Sequence, residues 1–304
     1  MTSSKSPGLI NWLTLGLLGL IWGASFMSTA VALQGAGPLS VSAIRLAIGA
    51  LVLFAVARAM GHRLPPRSDR KLWLCIIGMG VFSNAVPFTL LGLAIQYVPS
   101  AFAGVTMAAV PLLVLPLAHF LVPGERMSWI KCAGFAIGFV GVFILIGGLS
   151  IFEAGGDTLP KLACIGAAFC YAIGSIITRL APPAHPIAFS TGGLVIGALI
   201  MVPLALMFEG LPGAMPANAI AALLYLALLP TALATILLVR VIQSAGPSFM
   251  SLVNYQVPVW SVLFGVALMS EALPASFLLA LGLILGGLAL TQAAQKRLGR
   301  YPSA

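Results

Sequence analysis

Two stretches decide the fold. The first is Pro99-Ser100-Ala101-Phe102-Ala103-Gly104-Val105-Thr106-Met107-Ala108-Ala109-Val110-Pro111, followed by Gly124-Glu125. The second is Gly246-Pro247-Ser248-Phe249-Met250-Ser251-Leu252-Val253-Asn254-Tyr255-Gln256-Val257-Pro258, followed by Ser270-Glu271. A phenylalanine, a Val-Pro pair and an acidic residue recur in the same order. Both stretches are apolar and almost free of charge. Proline inside a helix removes one backbone hydrogen bond and strips the carbonyl one turn earlier of its partner. The repetition therefore predicts two like halves, each carrying a bent helix at the same place.

The surrounding composition names the solvent. The chain has 304 residues, of which 61% are hydrophobic and 7% charged. Soluble domains carry about 25% charged residues, so this chain has too few charges to cover itself in water. Apolar runs of about 20 residues, the length that crosses a hydrocarbon core, follow one another from end to end. The expectation is one polytopic all-α membrane domain over 1–304. Its ten candidate spans are 9–34, 38–60, 72–97, 100–122, 128–149, 160–180, 186–208, 218–242, 247–269 and 273–294. Ala30-Val31-Ala32 resembles a cleavage site, but the apolar stretch before it exceeds a signal peptide's 7–15-residue core. It reads as an uncleaved first span. Cys75, Cys132, Cys164 and Cys170 lie in apolar segments without a C-x-x-C and read as small apolar residues.

The net charge of +9 arises from 15 basic and 6 acidic residues. Their placement excludes nucleic acid as the partner, because they sit in short loops between spans. One set of loops and ends holds Lys5, Arg58, Arg63, Arg67, Arg70, Lys71, Arg126, Lys131, Arg179, Arg240, Lys296, Arg297 and Arg300. The opposite set holds Lys161 alone, together with Glu153, Asp157, Glu209 and Glu271. The positive-inside rule then places both termini in the cytoplasm. Five spans per half is an odd number, so the second half (about 160–294) is expected upside down relative to the first (about 9–149). Inverted halves with broken helices near the bilayer centre point to a transport site.

Smaller matches between the halves fit the same reading. Ile21-Trp22-Gly23 and Cys170-Tyr171-Ala172 occupy similar places in spans one and six, and Gln96 and Gln243 close spans three and eight. Taken in order, Leu20-Ile21-Trp22-Gly23-Ala24-Ser25-Phe26, Arg45 in Ala43-Ile44-Arg45-Leu46, and the duplicated Pro111…Glu125 and Pro258…Glu271 resemble the drug/metabolite transporter superfamily, EamA-type branch. The resemblance covers about residues 9 to 294. It implies ten helices in two inverted five-helix repeats, both termini cytoplasmic, in a bacterial inner membrane. It also implies export of small metabolites, with the chain most similar to exporters of amino acids, aromatic ones included.

Several residues are candidates for the pathway. Pro111 and Pro258 would free the carbonyls of Met107 and Asn254, and Pro87, Pro116, Pro203 and Pro230 would do likewise in their own spans. Such carbonyls must face protein or water, so Pro111, Pro258, Pro87 and Pro230 are candidate kinks or gates, against static kinks satisfied by neighbours. Asn254-Tyr255-Gln256 is the most polar mid-span cluster, and Asn254, Val257, Pro258 and Ser261 share one helix stripe. Asn254 and Ser261 are expected to face the cavity, with Tyr255 at its edge, against a role as interhelical glue. Trp22 and Tyr171 lie too deep for an interfacial belt and suit stacking on or shielding a substrate, or core packing. Asn84 and Thr106 add mild polarity, with Ser25, Ser175, Thr191, Thr231 and Thr235. The glycine stripes Gly134-Gly138-Gly141 and Gly282-Gly286-Gly287 read as packing faces, outside the pathway or at a dimer contact. Arg45 is the one base well inside a span, placed to bind a carboxylate or to snorkel outward. His119, one turn from a span end, suits an interfacial role.

The absences are informative too. No Asp or Glu lies mid-span, where ion-coupled carriers keep a carboxylate. Facilitated export, a downhill uniport without cofactor or metal, is therefore expected. The favoured substrates are neutral or aromatic amino acids, with lipids as the only other partner. No reactive constellation supports a membrane-embedded enzyme, and polarity is too sparse for a channel lining. The open alternative is an exporter of drugs, sugars or nucleotide-like metabolites, with or without proton coupling.

Overall fold

The computed structural model describes residues 8–125, 127–148 and 158–298, and every regular element among them is helical. Ten helical rods follow one another. They are α1 (Leu9–Ala32), α2 (Pro38–Ala59), α3 (Arg70–Ile95), α4 (Ser100–Leu121), α5 (Trp129–Leu145), α6 (Thr158–Leu180), α7 (Pro186–Phe208), α8 (Ala217–Ala245), α9 (Val253–Met269) and α10 (Ala275–Leu298). Eight contain a stretch long and apolar enough to cross a membrane; α5 and α9 are shorter apolar helices. Lys5, Arg126, Glu153, Asp157 and Arg300 lie outside the described residues, as do the side chains of Lys296 and Arg297.

The helix limits follow local chemistry. Pro38 and Pro186 open α2 and α7, at the position where a missing N–H costs nothing. The Asp69 carboxylate accepts the Leu72 N–H at 3.1 Å and caps α3, while Ser128 caps α5 through the Lys131 N–H. Gly246 ends α8 at φ 86°, a backbone conformation that glycine adopts without strain. The ninth span departs from the continuous 247–269 helix expected. A separate turn, Pro247–Met250, precedes α9.

Three rods are not plain α-helix. In α3, Gly80–Ala85 is a π-helical segment, and in α8 the segment Ala227–Leu233 is another. In α4, a 3-10 turn at Met107–Ala109 precedes Val110-Pro111. There the Val110 N–H donates to the Met107 carbonyl. The group that Pro111 was expected to strip is thus satisfied one residue earlier, by tightening the turn.

Contacts between rods order them into two faces. The near face carries the start of α1. There Ser244 at the end of α8 bonds Asn11, the ring of Trp12 meets Phe249, and His62 after α2 stacks on His185 before α7. The end of α6 joins it through the Arg179–Glu125 ion pair, and α10 through a bond from Gln292 to Ser251. On the far face, Asn218 at the start of α8 bonds Gln34, and Glu209 and Glu271 receive the first amides of α2 and α4. The first rod thus runs from near to far, and α6 from far to near.

Pairing follows the same order. The second rod lies along α7, α5 along α10, and α1 beside α8 and α9, while α6 lies beside α3 and α4. The glycine stripe of α5 explains its closeness to α10: a Cβ at Gly134 would stand 2.6 Å from the Gly287 carbonyl oxygen, and one at Gly141 2.8 Å from that of Ala280. Gly134, Gly138 and Gly141 therefore pack inside the chain against Gly287, Leu112, Ala280 and Ile284, whereas Gly282 and Gly286 meet nothing. Large apolar side chains such as Leu51, Leu199, Leu263 and Leu279 face outward, as a lipid solvent requires.

Candidate functional site

The site grows from the two π segments. A π turn inserts one extra residue, loosens the backbone ladder and often marks function. Gly80 stands to Ala227, and Ala85 to Ala232, at the same interval as Pro111 to Pro258. Within the segments the same interval relates Asn84 to Thr231. Each spans its own irregular turn in the same way: Asn84 Nδ2 donates to the Met79 carbonyl at 3.3 Å, and Thr231 Oγ1 to the Leu226 carbonyl at 2.7 Å, both five residues back. The local structure is duplicated down to these bonds.

Between the two segments lies a cavity of about 450 Å³, a volume suited to a small molecule. Of the aromatic walls, Trp22 and Phe26 come from α1, Phe88 from α3 and Tyr171 from α6. The Trp22 indole N–H donates to the Pro230 carbonyl at 3.2 Å, inside the α8 π segment, and this bond fixes the ring. The Tyr171 hydroxyl and the Asn254 side chain line the same space without a hydrogen-bond partner among the described residues. The walls are mainly apolar, with Ser25, Ser175 and Thr235 adding hydroxyls.

Among the described residues one charge lines the cavity. Arg45 in α2 lines the cavity and reaches across to α8, where its Nε donates to Thr231 Oγ1 at 2.9 Å. Its guanidinium carbon lies 3.8 Å above the Phe88 ring centre, a cation–π contact. Among the described residues no Asp, Glu or Lys lines the cavity.

Among the described residues the cavity lining is exposed toward one side. Toward the far face its lining residues Thr29, Val41, Leu91 and Ile95 are buried; toward the near face Ser175 is exposed and Asn254, Ser190 and Thr235 are half-buried. Two carboxylates tie the closed side. Glu209, after α7, accepts the Leu39 and Ser40 N–H groups at 3.0 and 2.8 Å, and Glu271, after α9, accepts those of Ser100 and Ala101 at 2.6 and 3.0 Å. Charge-assisted bonds of this kind are about twice as strong as neutral ones. On the near face Glu125 pairs with Arg179 and, at 3.9 Å, with Lys131. His119 is exposed there, its Nδ1 3.3 Å from the Glu125 carbonyl oxygen.

The cavity gathers Trp22, Arg45, Asn84, Tyr171, Pro230, Asn254 and Pro258 from the sequence candidates. Ser25, Ser175, Thr231 and Thr235 line it too, but the remaining candidates do not. Thr106 is wholly buried and donates to the Phe102 carbonyl. Ser261 donates to the Pro258 carbonyl and packs on Gly104, so the stripe from Asn254 leaves the cavity after Pro258. Tyr255, Pro87 and Pro111 lie off the lining, and Thr191 bonds within its own helix. Phe88, Ser42 and Ser83 belong to the wall without having been singled out. The interval relating Asn84 to Thr231 is the one signal in the sequence that marks the π turns.

A bundle of apolar helices around a two-halved, one-sided central cavity defines a membrane carrier. The comparison with known proteins gives the family: the model of the EamA-like transporter family matches twice, over residues 10–147 and 159–292, and the chain belongs to that family. It is 27% identical over 292 residues to the uncharacterized inner membrane transporter YedA of Escherichia coli, covering 93% of this chain and 89% of the relative. It is 27% identical over 223 residues, 72% of each chain, to a probable terminal-alkyne amino-acid exporter of Streptantibioticus cattleyicolor. A protein of known crystal structure shares the fold at a TM-score of 0.66 and 24% identity, covering 95% of this chain and 98% of the other.

Proposed function

We propose that this transporter exports amino acids and related small metabolites from the cell by alternating access, as a facilitated, downhill uniport in a bacterial inner membrane. The observation that carries the reading is the central cavity, bounded by repeat-related π turns and closed toward one face only. Supporting it, the two family-model matches divide the chain into halves of five helices, and the charge asymmetry favours a cytoplasmic near face. The halves then form an inverted repeat, and exchanging their shapes closes the near side while opening the far side. Trp22, Arg45, Asn84, Tyr171 and Asn254 contact the substrate; Pro230 and Pro258 bend the helices beside it. Pro111 acts from outside the lining, through the 3-10 turn before it. The name of the Streptantibioticus relative supports amino acids as the substrate class, and the YedA relative's name supports the inner membrane.

Counterflow in proteoliposomes tests the reading, with a panel of amino acids, nucleosides and cationic drugs. Exchange of neutral or aromatic amino acids is expected. Exchange restricted to organic cations would exclude amino acids as substrates.

A further inference from the structure

The cavity's charge is unbalanced, and its repeat-related counterpart explains how. The bond from Arg45 to Thr231 joins the second helix of the first half to the π segment of the second half. Counted from the prolines that open α2 and α7, Arg45 corresponds to Gly193 of α7, which packs against Asn84, whose Nδ2 would lie 3.5 Å from a Cβ there. One half thus carries a guanidinium where the other has no side chain. The charge is an addition to the duplicated frame, and it has no role in holding that frame where glycine replaces it.

An arginine inside a membrane protein requires an acceptor. Every described carboxylate is engaged elsewhere: Asp69 on the α3 amide, Glu125 on Arg179, Glu209 on α2 and Glu271 on α4. Arg45 itself spends its Nε on Thr231 and one face of its plane on Phe88. The Nη1 and Nη2 groups of the fork have no hydrogen-bond partner among the described residues and border the cavity. A planar fork presenting paired N–H groups matches a carboxylate in bidentate geometry.

We propose that Arg45 anchors the carboxylate of the substrate, and that this contact selects acids and zwitterions over amides and amines. The inference rests on the export reading above and narrows its substrate class to small carboxylates with a neutral or aromatic remainder. Trp22, Phe88 and Tyr171 wall the space for that remainder. Thr231 holds the Nε and so aims the Nη fork, as a positioning residue. The carboxylate takes the free Nη groups while the Nε–Thr231 bond stays in place. An amine finds a like charge in the cavity and no carboxylate to balance it.

The test is counterflow with purified protein in liposomes, using phenylalanine, phenylpropionate, phenylalaninamide and phenethylamine as probes. Wild type is expected to exchange the two acids and not the amide or the amine. Arg45→Gln is expected to lose about 100-fold in kcat/KM for the acids, the size of one or two charged hydrogen bonds, and to lose the preference for acid over amide. Arg45→Lys keeps the charge without the fork and is expected to raise KM about tenfold with kcat retained. Thr231→Val frees the Nε and lets the fork swing, so KM for the two acids is expected to rise with kcat retained, a split that a merely structural Arg45–Thr231 brace would not produce. Should Arg45→Gln fail to fold, the Lys and Val variants decide by the same KM readout. Retention of the acid-over-amide ratio in Arg45→Gln, or an unchanged KM in both other variants, overturns the anchor and leaves the export reading standing. Wild-type exchange of nucleosides or cationic drugs but of neither acid has the same effect. Silence of the wild type toward these probes and the wider panel alike overturns both.

Discussion

The Glu271 carboxylate lies 2.6 Å from the amide nitrogen of Ser100, and its second oxygen lies 3.0 Å from that of Ala101. A side chain after α9 thereby closes the start of α4, on the face where the cavity is sealed. Hydrogen bonds to a charged group contribute about 1.5–3 kcal/mol. Glu271→Gln is expected to shift the equilibrium about tenfold or more toward a far-open state, and Glu209→Gln to act in the same direction. A cysteine at Thr29 reports it: labelling by a membrane-impermeant maleimide from the far face should quicken in both variants. Unchanged labelling would remove the carboxylates from the gating mechanism.

Pro258 sits inside α9 and lines the cavity, while Pro111 follows the 3-10 turn of α4 off the lining. Alanine at both positions restores the backbone donors and favours straight helices. The double variant should keep its thermal unfolding temperature within a few degrees and lose about tenfold in counterflow rate, equivalent to about 1.4 kcal/mol on the barrier. Counterflow at the wild-type rate would reduce the repeated Val-Pro to ancestry.

The α5–α10 contact depends on absent side chains. Valine at Gly134 would overlap the Gly287 carbonyl and the Thr291 methyl, each 2.6 Å from the position of a Cβ. Overpacking of this kind costs about 1–3 kcal/mol. Gly134→Val should lower the unfolding temperature in detergent, whereas Gly282→Ala, which meets nothing, should not.

His62 and His185 stack at 3.5 Å between ring centres, tying α2 to α7 at the near face. Partial burial and the neighbouring His62 imidazole hold the His185 pKa below its usual 6.5. A histidine with a depressed folded pKa binds fewer protons folded than unfolded, so its contribution is present above about pH 6.5 and is lost as pH falls. Titration of labelled histidines by NMR should find His185 below 6.5, and His62→Ala should move it upward. A His185 value at or above 6.5 in the wild type contradicts the stack.

Among the described residues the cavity lining holds no carboxylate, which favours the proposed uniport over proton exchange. An imposed pH gradient across sealed liposomes is expected to produce no uphill accumulation of phenylalanine. Accumulation would replace the uniport with proton coupling.

The spans were legible in the sequence because lipid demands long apolar runs and because Pro, Gly and charge clusters punctuate them; α7 falls on its expected limits, 186–208. Arg45 was legible for a related reason, as the lone base within a span. Its partners were not. Thr231 lies 186 residues away, and a threonine in an apolar helix looks the same whether it binds an arginine or its own backbone. Thr106 and Ser261 illustrate the converse: their hydroxyls drew them toward the site, yet each is spent on a carbonyl of its own helix. Phe88 carried no signal, since its role depends on the π turn that rotates α3 beneath Arg45.

The matching π turns also date themselves. One inserted residue sits at the same register in α3 and α8, each spanned by a polar side chain bonding five residues back. Two independent insertions at one register, each with its own polar staple, would be a coincidence; a single insertion copied by gene duplication is not. The shared bulge is thus most simply a feature of the half-length unit that was duplicated, and the arginine is where the two copies differ.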